Sequence, residues 1–129
     1  MKILIDTHIF LWSMLTPDKL RKATLRILSD PENEKFLSAA STWEIAIKYA
    51  KGSLILPSHP KTCVPLGIAA ADIIPLPIKF QDTFAVADLP PIHRDPFDRL
   101  IITQAKLNGL KLLTDDPVFK KYGVDVIGI

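Results

Sequence analysis

The chain has 129 residues, 48% of them hydrophobic and 23% charged, and a formal net charge of +2. That length and composition fit one compact domain spanning 1–129 and exclude a disordered or low-complexity chain. A charge so close to neutral carries no electrostatic footprint of a dedicated DNA-binding domain, the lone Cys63 excludes an intrachain disulfide or a cysteine zinc site, and no run approaches the ~20 apolar residues of a membrane span. The apolar opening MKILIDTHIFLW carries Asp6 in its middle and lacks a small-residue cleavage site. The expectation is a soluble, cytoplasmic protein in a reducing setting, with no membrane attachment.

In chain order, Lys2 to Asp6 begins with Ile3, Leu4 and Ile5, the pattern of a strand covered on both faces, and ends on a carboxylate. Ile9 to Leu15 reads as an apolar helix, and Asp18 to Ser29 as an amphipathic surface helix after Pro17. Asp30 to Asn33 makes a turn, and Lys35 to Ser38 a short strand leading into the helix of SAASTWEIAIKYAKG, which Gly52 ends. The buried stripe predicted for that helix is Trp43, Ala46, Ile47 and Ala50, with Glu44 in the first turn on its flank. Prolines at 57, 60, 65, 75 and 77 interrupt the middle, where a helix near Lys61 to Ala71, a strand over Ile73 to Leu76 and a helix from Lys79 to Ala87 continue the alternation. Asp95 with Pro96 frames the start of a helix that Gly109 stops. Lys111 to Thr114 then reads as a buried strand running into Asp115 and Asp116, followed by a helical turn over Pro117 to Lys121 and an edge strand over Val124 to Ile127. About five strands alternating with helices predict a three-layer α/β/α sandwich around a mainly parallel five-stranded sheet.

Four acids occupy equivalent topological places: Asp6 and Asp116 after strands, Glu44 and Asp98 in the first turns of helices. Parallel strands bring such positions together. Two unit charges ~4 Å apart repel by about 4 kcal/mol at an effective dielectric of ~20, so a cluster of this kind calls for a cation. With no cysteine cluster, the apt ion is Mg²⁺ or Mn²⁺, and the chemistry implied is metal-assisted phosphodiester hydrolysis.

Each acid also has a structural explanation. Asp6 caps the following helix equally well; Ser41 to Glu44 has the S-x-x-E form of a capping box, with Glu44 to Lys48 an i,i+4 pair; Asp95 is most economically an N-cap; and Asp115 and Asp116 compete for one role. Asp98 is the exception, since it begins the apolar stripe of Ile101, Ile102 and Ala105, where a solvated aspartate does not usually sit. Thr7, Ser41 and Thr114 place hydroxyls beside the acids. Arg99 is either a phosphate contact or a surface cation. His8, His59 and His93 lack metal-ligand spacing, with His93 a brace for its loop, and Trp12 and Trp43 read as core rather than base-stacking platforms. The basic residues of the 18–29 helix, with Lys48 and Lys51, either track an RNA backbone or simply face solvent.

The segments LIDTH, STWEIAIK, LPPIHRDPFDRLIITQA and LLTDD, in this order and spacing, resemble PIN-domain ribonucleases, specifically the VapC-type toxins of toxin–antitoxin pairs. The resemblance implies a five-stranded parallel sheet between helices and an acidic quartet of Asp6, Glu44, Asp98 and Asp116, supported by Thr114, Thr7 and Ser41. It also implies Mg²⁺- or Mn²⁺-dependent endonucleolytic cleavage of single-stranded RNA, a homodimer, and inhibition by a small cognate antitoxin. The alternatives are a catalytically inactive PIN fold that binds a protein and a small-molecule phosphatase. The phosphatase lacks its D-x-D arrangement, because Thr7 and His8 follow Asp6.

Overall fold

The computed structural model describes residues 1–128. In chain order its elements are β1 (Lys2–Ile5), α1 (Thr7–Leu15), α2 (Lys22–Ser29), β2 (Glu34–Ser38), α3 (Ala39–Ala50), α4 (Pro60–Ala70), β3 (Ile73–Leu76), α5 (Phe80–Ala85), α6 (Pro96–Asn108), β4 (Lys111–Leu113) and β5 (Val126–Ile127). Short 3₁₀ turns lie at Pro17–Lys19, Val86–Asp88 and Pro117–Tyr122. The strands form one sheet in the order β3-β2-β1-β4-β5, and every pairing is parallel.

The aliphatic run of β1 puts it at the centre. Ile3 and Ile5 point into one apolar cluster with Ile9, Phe10, Leu37 and Ile45, whereas Leu4 points into a second with Ile101, Ile102, Leu112 and Phe119. Alternate residues of one strand therefore feed cores on opposite faces, which requires helices on both sides of the sheet. β3 is an edge strand, which tolerates the missing N–H of Pro75. Behind the sheet, the buried Lys35 ammonium donates to the carbonyls of Leu28 and Ala71, both at 2.6 Å, and so ties α2 and the end of α4 to β2.

The α/β/α architecture and the parallel sheet are as expected, with differences at several elements. The amphipathic segment of 18–29 is broken, because Leu20 and Arg21 are extended between the first 3₁₀ turn and α2. The helix expected to run to Ala87 tightens at Val86 into a 3₁₀ turn that ends at Asp88. The largest correction is at α3. Its N-cap is Ser38, whose hydroxyl accepts from the Ala40 amide at 2.9 Å, so Ser41 lies inside the helix and not at its cap. The capping box is thus absent and the helix starts earlier than its sequence suggests. The buried face is Ala40, Ser41, Glu44 and Ile45, and Trp43 is 57% exposed.

Candidate active site

Because all strands run the same way, the turns leaving β1 and β4 and the first turns of α3 and α6 gather at one edge of the sheet. There a cleft of about 190 Å³ is lined by Asp6, Glu44, Asp95, Asp98 and Asp116, with Lys48 among them. All four quartet acids therefore reach one place, joined by Asp95.

Asp6 is the fixed member of the group. It is 2% exposed and caps α1, with Oδ1 accepting from the Thr7 amide at 2.7 Å. Its Oδ2 accepts from the Thr114 hydroxyl at 2.7 Å and faces His8 Nδ1 at 3.1 Å. Thr114 in turn accepts from the Asp116 amide at 3.1 Å, so a single buried hydroxyl registers the two strand-end acids against each other. Asp116 caps the last 3₁₀ turn through the Val118 amide at 3.0 Å. The Thr7 hydroxyl donates to the Ser41 hydroxyl at 2.8 Å and thereby pins α3 to α1.

The helix-borne acids are held differently. Glu44 sits on the inward face of α3 at 5% exposure, with Oε2 2.8 Å from Lys48 Nζ and Oε1 buried without a hydrogen-bond partner. Lys48's pKa lies above the ordinary lysine range, chiefly through its hydrogen bond to Glu44. On α6, Asp95 is the N-cap, accepting from the amides of Phe97 and Asp98, yet it also lines the cleft. Asp98 Oδ2 lies 2.9 Å from His93 Nε2. His93 Nδ1 accepts the Asp95 amide at 3.2 Å, so its Nε2 carries the proton offered to Asp98. Burial first, and then the charges of Asp6, Asp95, Glu44 and Asp116, push the Asp98 carboxyl up to about 8.

Sequence reasoning weighed two residues, His8 and His93, only as metal ligands or a loop brace and missed their carboxylate partners. His8 bridges Asp6 and Asp115, one ring nitrogen to each. Burial alone would lower its pKa, but the hydrogen bonds and charges of those two carboxylates outweigh that and raise it to about 9. The pairing also distinguishes the adjacent acids, since Asp115 is turned onto His8 while Asp116 lines the cleft. His93 does brace its loop, as expected, but in addition holds Asp98. A search for histidine-to-histidine metal spacing does not register histidines that serve carboxylates; the available signal was their position, His8 two residues after Asp6 and His93 five before Asp98. Arg99, considered as a phosphate contact, instead donates to the carbonyls of Val86, Leu89, Pro90 and His93. Trp43, expected in the core, packs edge-on against Phe97 at 4.9 Å with most of its surface in solvent.

Among the described residues, no three His, Cys, Asp or Glu side chains are drawn together tightly enough to enclose an ion in their present rotamers. Their oxygens are turned to Lys48, His93, His8 and the hydroxyls instead. The donor set nevertheless fits a hard divalent cation. It is all oxygen, it includes the orphaned Glu44 Oε1, and burial together with the neighbouring carboxylates raises the pKa of Asp98.

A family model described as the PIN domain matches residues 3–125. Among solved structures, a chain of VapBC2 from Rickettsia felis, bound to a DNA fragment from their promoter, is 15% identical, with 98% of each chain covered and a TM-score of 0.75. A chain of VapBC-1 from nontypeable Haemophilus influenzae is 16% identical, covering 98% of this chain and 97% of that one, with a TM-score of 0.68. A chain of FitAcB from Neisseria gonorrhoeae is 22% identical, covering 97% and 96%, with a TM-score of 0.63. At these identities the likeness is one of fold. No curated protein sequence matches the chain significantly.

Proposed function

The chain belongs to the PIN-domain family, whose members are generally nucleases, and from that premise we propose that it is a Mg²⁺- or Mn²⁺-dependent endoribonuclease acting on single-stranded RNA. The observation that carries the reading is the convergence of Asp6, Glu44, Asp98 and Asp116 on one cleft, with a buried glutamate oxygen unpartnered and Asp98 raised to about 8 by its surroundings. Structural carboxylates usually stay apart; these crowd.

In this reading the quartet holds the ion, with Asp95 and Asp115 acting as cap and histidine partner. A bound divalent cation supplies an activated water and neutralises charge on the scissile phosphate. The chain's own groups prepare for that. Thr114 and the Thr7 amide fix the direction of both Asp6 oxygens, and His93 orients Asp98 so that loss of its proton leaves a carboxylate facing the cleft. The fold likeness to chains from VapBC and FitAcB supports a toxin role with a small antitoxin as partner. We extend this to a homodimer in the cytoplasm; among the described residues no helix is long and apolar enough to cross a membrane.

A second reading, an inactive PIN fold that binds a protein, draws on the fact that the acids are all engaged with the chain's own side chains and amides. One experiment separates the two. Purified protein with Mn²⁺ should cut single-stranded RNA, and Asp6→Asn should lose more than the about 10- to 100-fold that removal of an outer-shell partner costs. Equal cleavage by the variant refutes the assigned site, and absence of Mn²⁺ binding at millimolar concentration favours the inactive fold.

A further inference from the structure

We propose that Lys48 is an exchangeable counter-ion: its ammonium neutralises Glu44 in the metal-free protein and passes to a backbone phosphate of the RNA once Glu44 engages a divalent ion. The inference rests on the ribonuclease reading above and assigns to it a substrate contact and an order of events.

The two ends of this ion pair are unequal. The Glu44 carboxylate is 93% buried as a side chain and fixed on the inward face of α3, whereas the Lys48 side chain is 52% exposed on a flexible four-carbon stem. The ammonium end is rehydrated on release, and the buried Glu44 carboxylate escapes the cost of standing uncompensated only if another cation replaces the lysine in the same step. Glu44 also has an oxygen to spare, because Oε1 is buried without a partner and Lys48 engages only Oε2. Were a divalent ion held through Oε1, it would satisfy the orphan and set two positive charges beside the Lys48 ammonium, which that repulsion would drive off Oε2.

The released ammonium stays at the site. Among the described residues lining the cleft, Lys48 is the only lysine or arginine, set among five carboxylates. Arg99 is committed to four carbonyls, His8 is held between Asp6 and Asp115, and His93 is held by Asp98. A polyanionic strand entering this cleft therefore meets one mobile cation. The charges follow the same order: two positive charges arrive with the ion, Lys48 gives up one negative partner, and the phosphate supplies another.

The test uses the whole chain with Lys48→Met and Lys48→Arg. Mn²⁺ binding is read by calorimetry, and binding of a short labelled single-stranded RNA by anisotropy with Ca²⁺ in place of Mn²⁺, over a range of salt. For Lys48→Met, Mn²⁺ should bind tighter, on the order of fivefold, because a competing cation is gone. RNA should bind on the order of fivefold weaker, with the slope of log affinity against log salt reduced by about 0.7, the value for one phosphate contact on a single strand. Lys48→Arg should restore both to near the parent values. A role confined to bracing α3 would not move the two affinities in opposite directions. Unchanged or weakened Mn²⁺ binding in Lys48→Met, or unchanged RNA affinity and salt slope, overturns the exchange while leaving the ribonuclease reading in place. Absence of Mn²⁺ binding by the parent chain itself overturns both.

Discussion

Asp6 and Glu44 are both buried carboxylates in the same cleft, yet their surroundings are opposites. Asp6 has every oxygen engaged, by a backbone amide and an imidazole from α1 and a threonine hydroxyl just after β4. Glu44 has one oxygen on a mobile lysine and the other on nothing. The strand-end half of the site is preorganised by the chain, and the helix-borne half is left in electrostatic debt, with the Asp98 pKa raised by burial and its acidic neighbours and Glu44 leaning on a lysine. On the proposed function, a site divided in this way would fix the position of an ion through one half and draw the ion through the other.

The contrast can be broken from the rigid side. Thr114→Val keeps the shape of the side chain but removes the donor to Asp6 and the acceptor of the Asp116 amide. Metal affinity, read by Mn²⁺ calorimetry, should fall about 10- to 100-fold. Stability, read by urea titration, should fall by about 1–3 kcal/mol for the polar groups left unsatisfied. If metal affinity is untouched, Asp6 does not depend on this brace.

From the unfinished side the readout is pH. The Asp98 carboxyl is raised from 3.8 to about 8, so between those values the folded chain holds a proton that the unfolded chain has released. Stability of the metal-free protein should therefore decline as pH climbs through that window, and Asp98→Asn should flatten the decline. Mn²⁺ affinity should run the other way, strengthening up to about pH 8, because binding requires the proton to leave. A metal-free stability curve rising from pH 5 to 8, unaltered in Asp98→Asn, contradicts the arrangement.

The smallest effect concerns His8. Its pKa is raised to about 9, so its stabilisation is fully present below its ordinary value of 6.5 and is lost as pH rises through about 9. The ring is 37% exposed, and with solvent screening His8→Gln should cost on the order of 1 kcal/mol at neutral pH, vanishing by pH 10. Thermal unfolding of the pair of proteins across that range provides the check.

The half of the site contributed by α6 and β4 was legible in the amino-acid order, because its boundaries are set by local chemistry. Asp95 caps, Pro96 fits the first helical position, and Gly109 adopts the left-handed φ of 63° that closes the helix. α3 was misread for the converse reason. Its S-x-x-E motif imitates a helix start, whereas the true cap, Ser38, is also the last residue of β2 and so reads as strand. Reading the most apolar stripe as the buried one then turned Trp43 inward. The actual inward face carries Ser41 and Glu44, since it closes a polar cleft and not an oily core. The histidines were weighed only for metal-ligand spacing, so their nearness to Asp6 and Asp98 was not read as a carboxylate partnership; only the His8 contact to Asp115, 107 positions away, is one that no local pattern encodes.

The hydrogen bond from Thr114 to Asp6 spans 108 positions of the chain. Asp6, just after β1, is made long before Thr114, the residue after β4 that aims its carboxylate, and β4 docks beside β1 only once the segment between them has emerged. The carboxylate cluster is thus a late product of synthesis: a nascent or prematurely terminated chain carries Asp6 and Glu44 but cannot assemble the cleft. On the proposed function, that order keeps the site unassembled until the segment carrying Thr114 and Asp116 has been made.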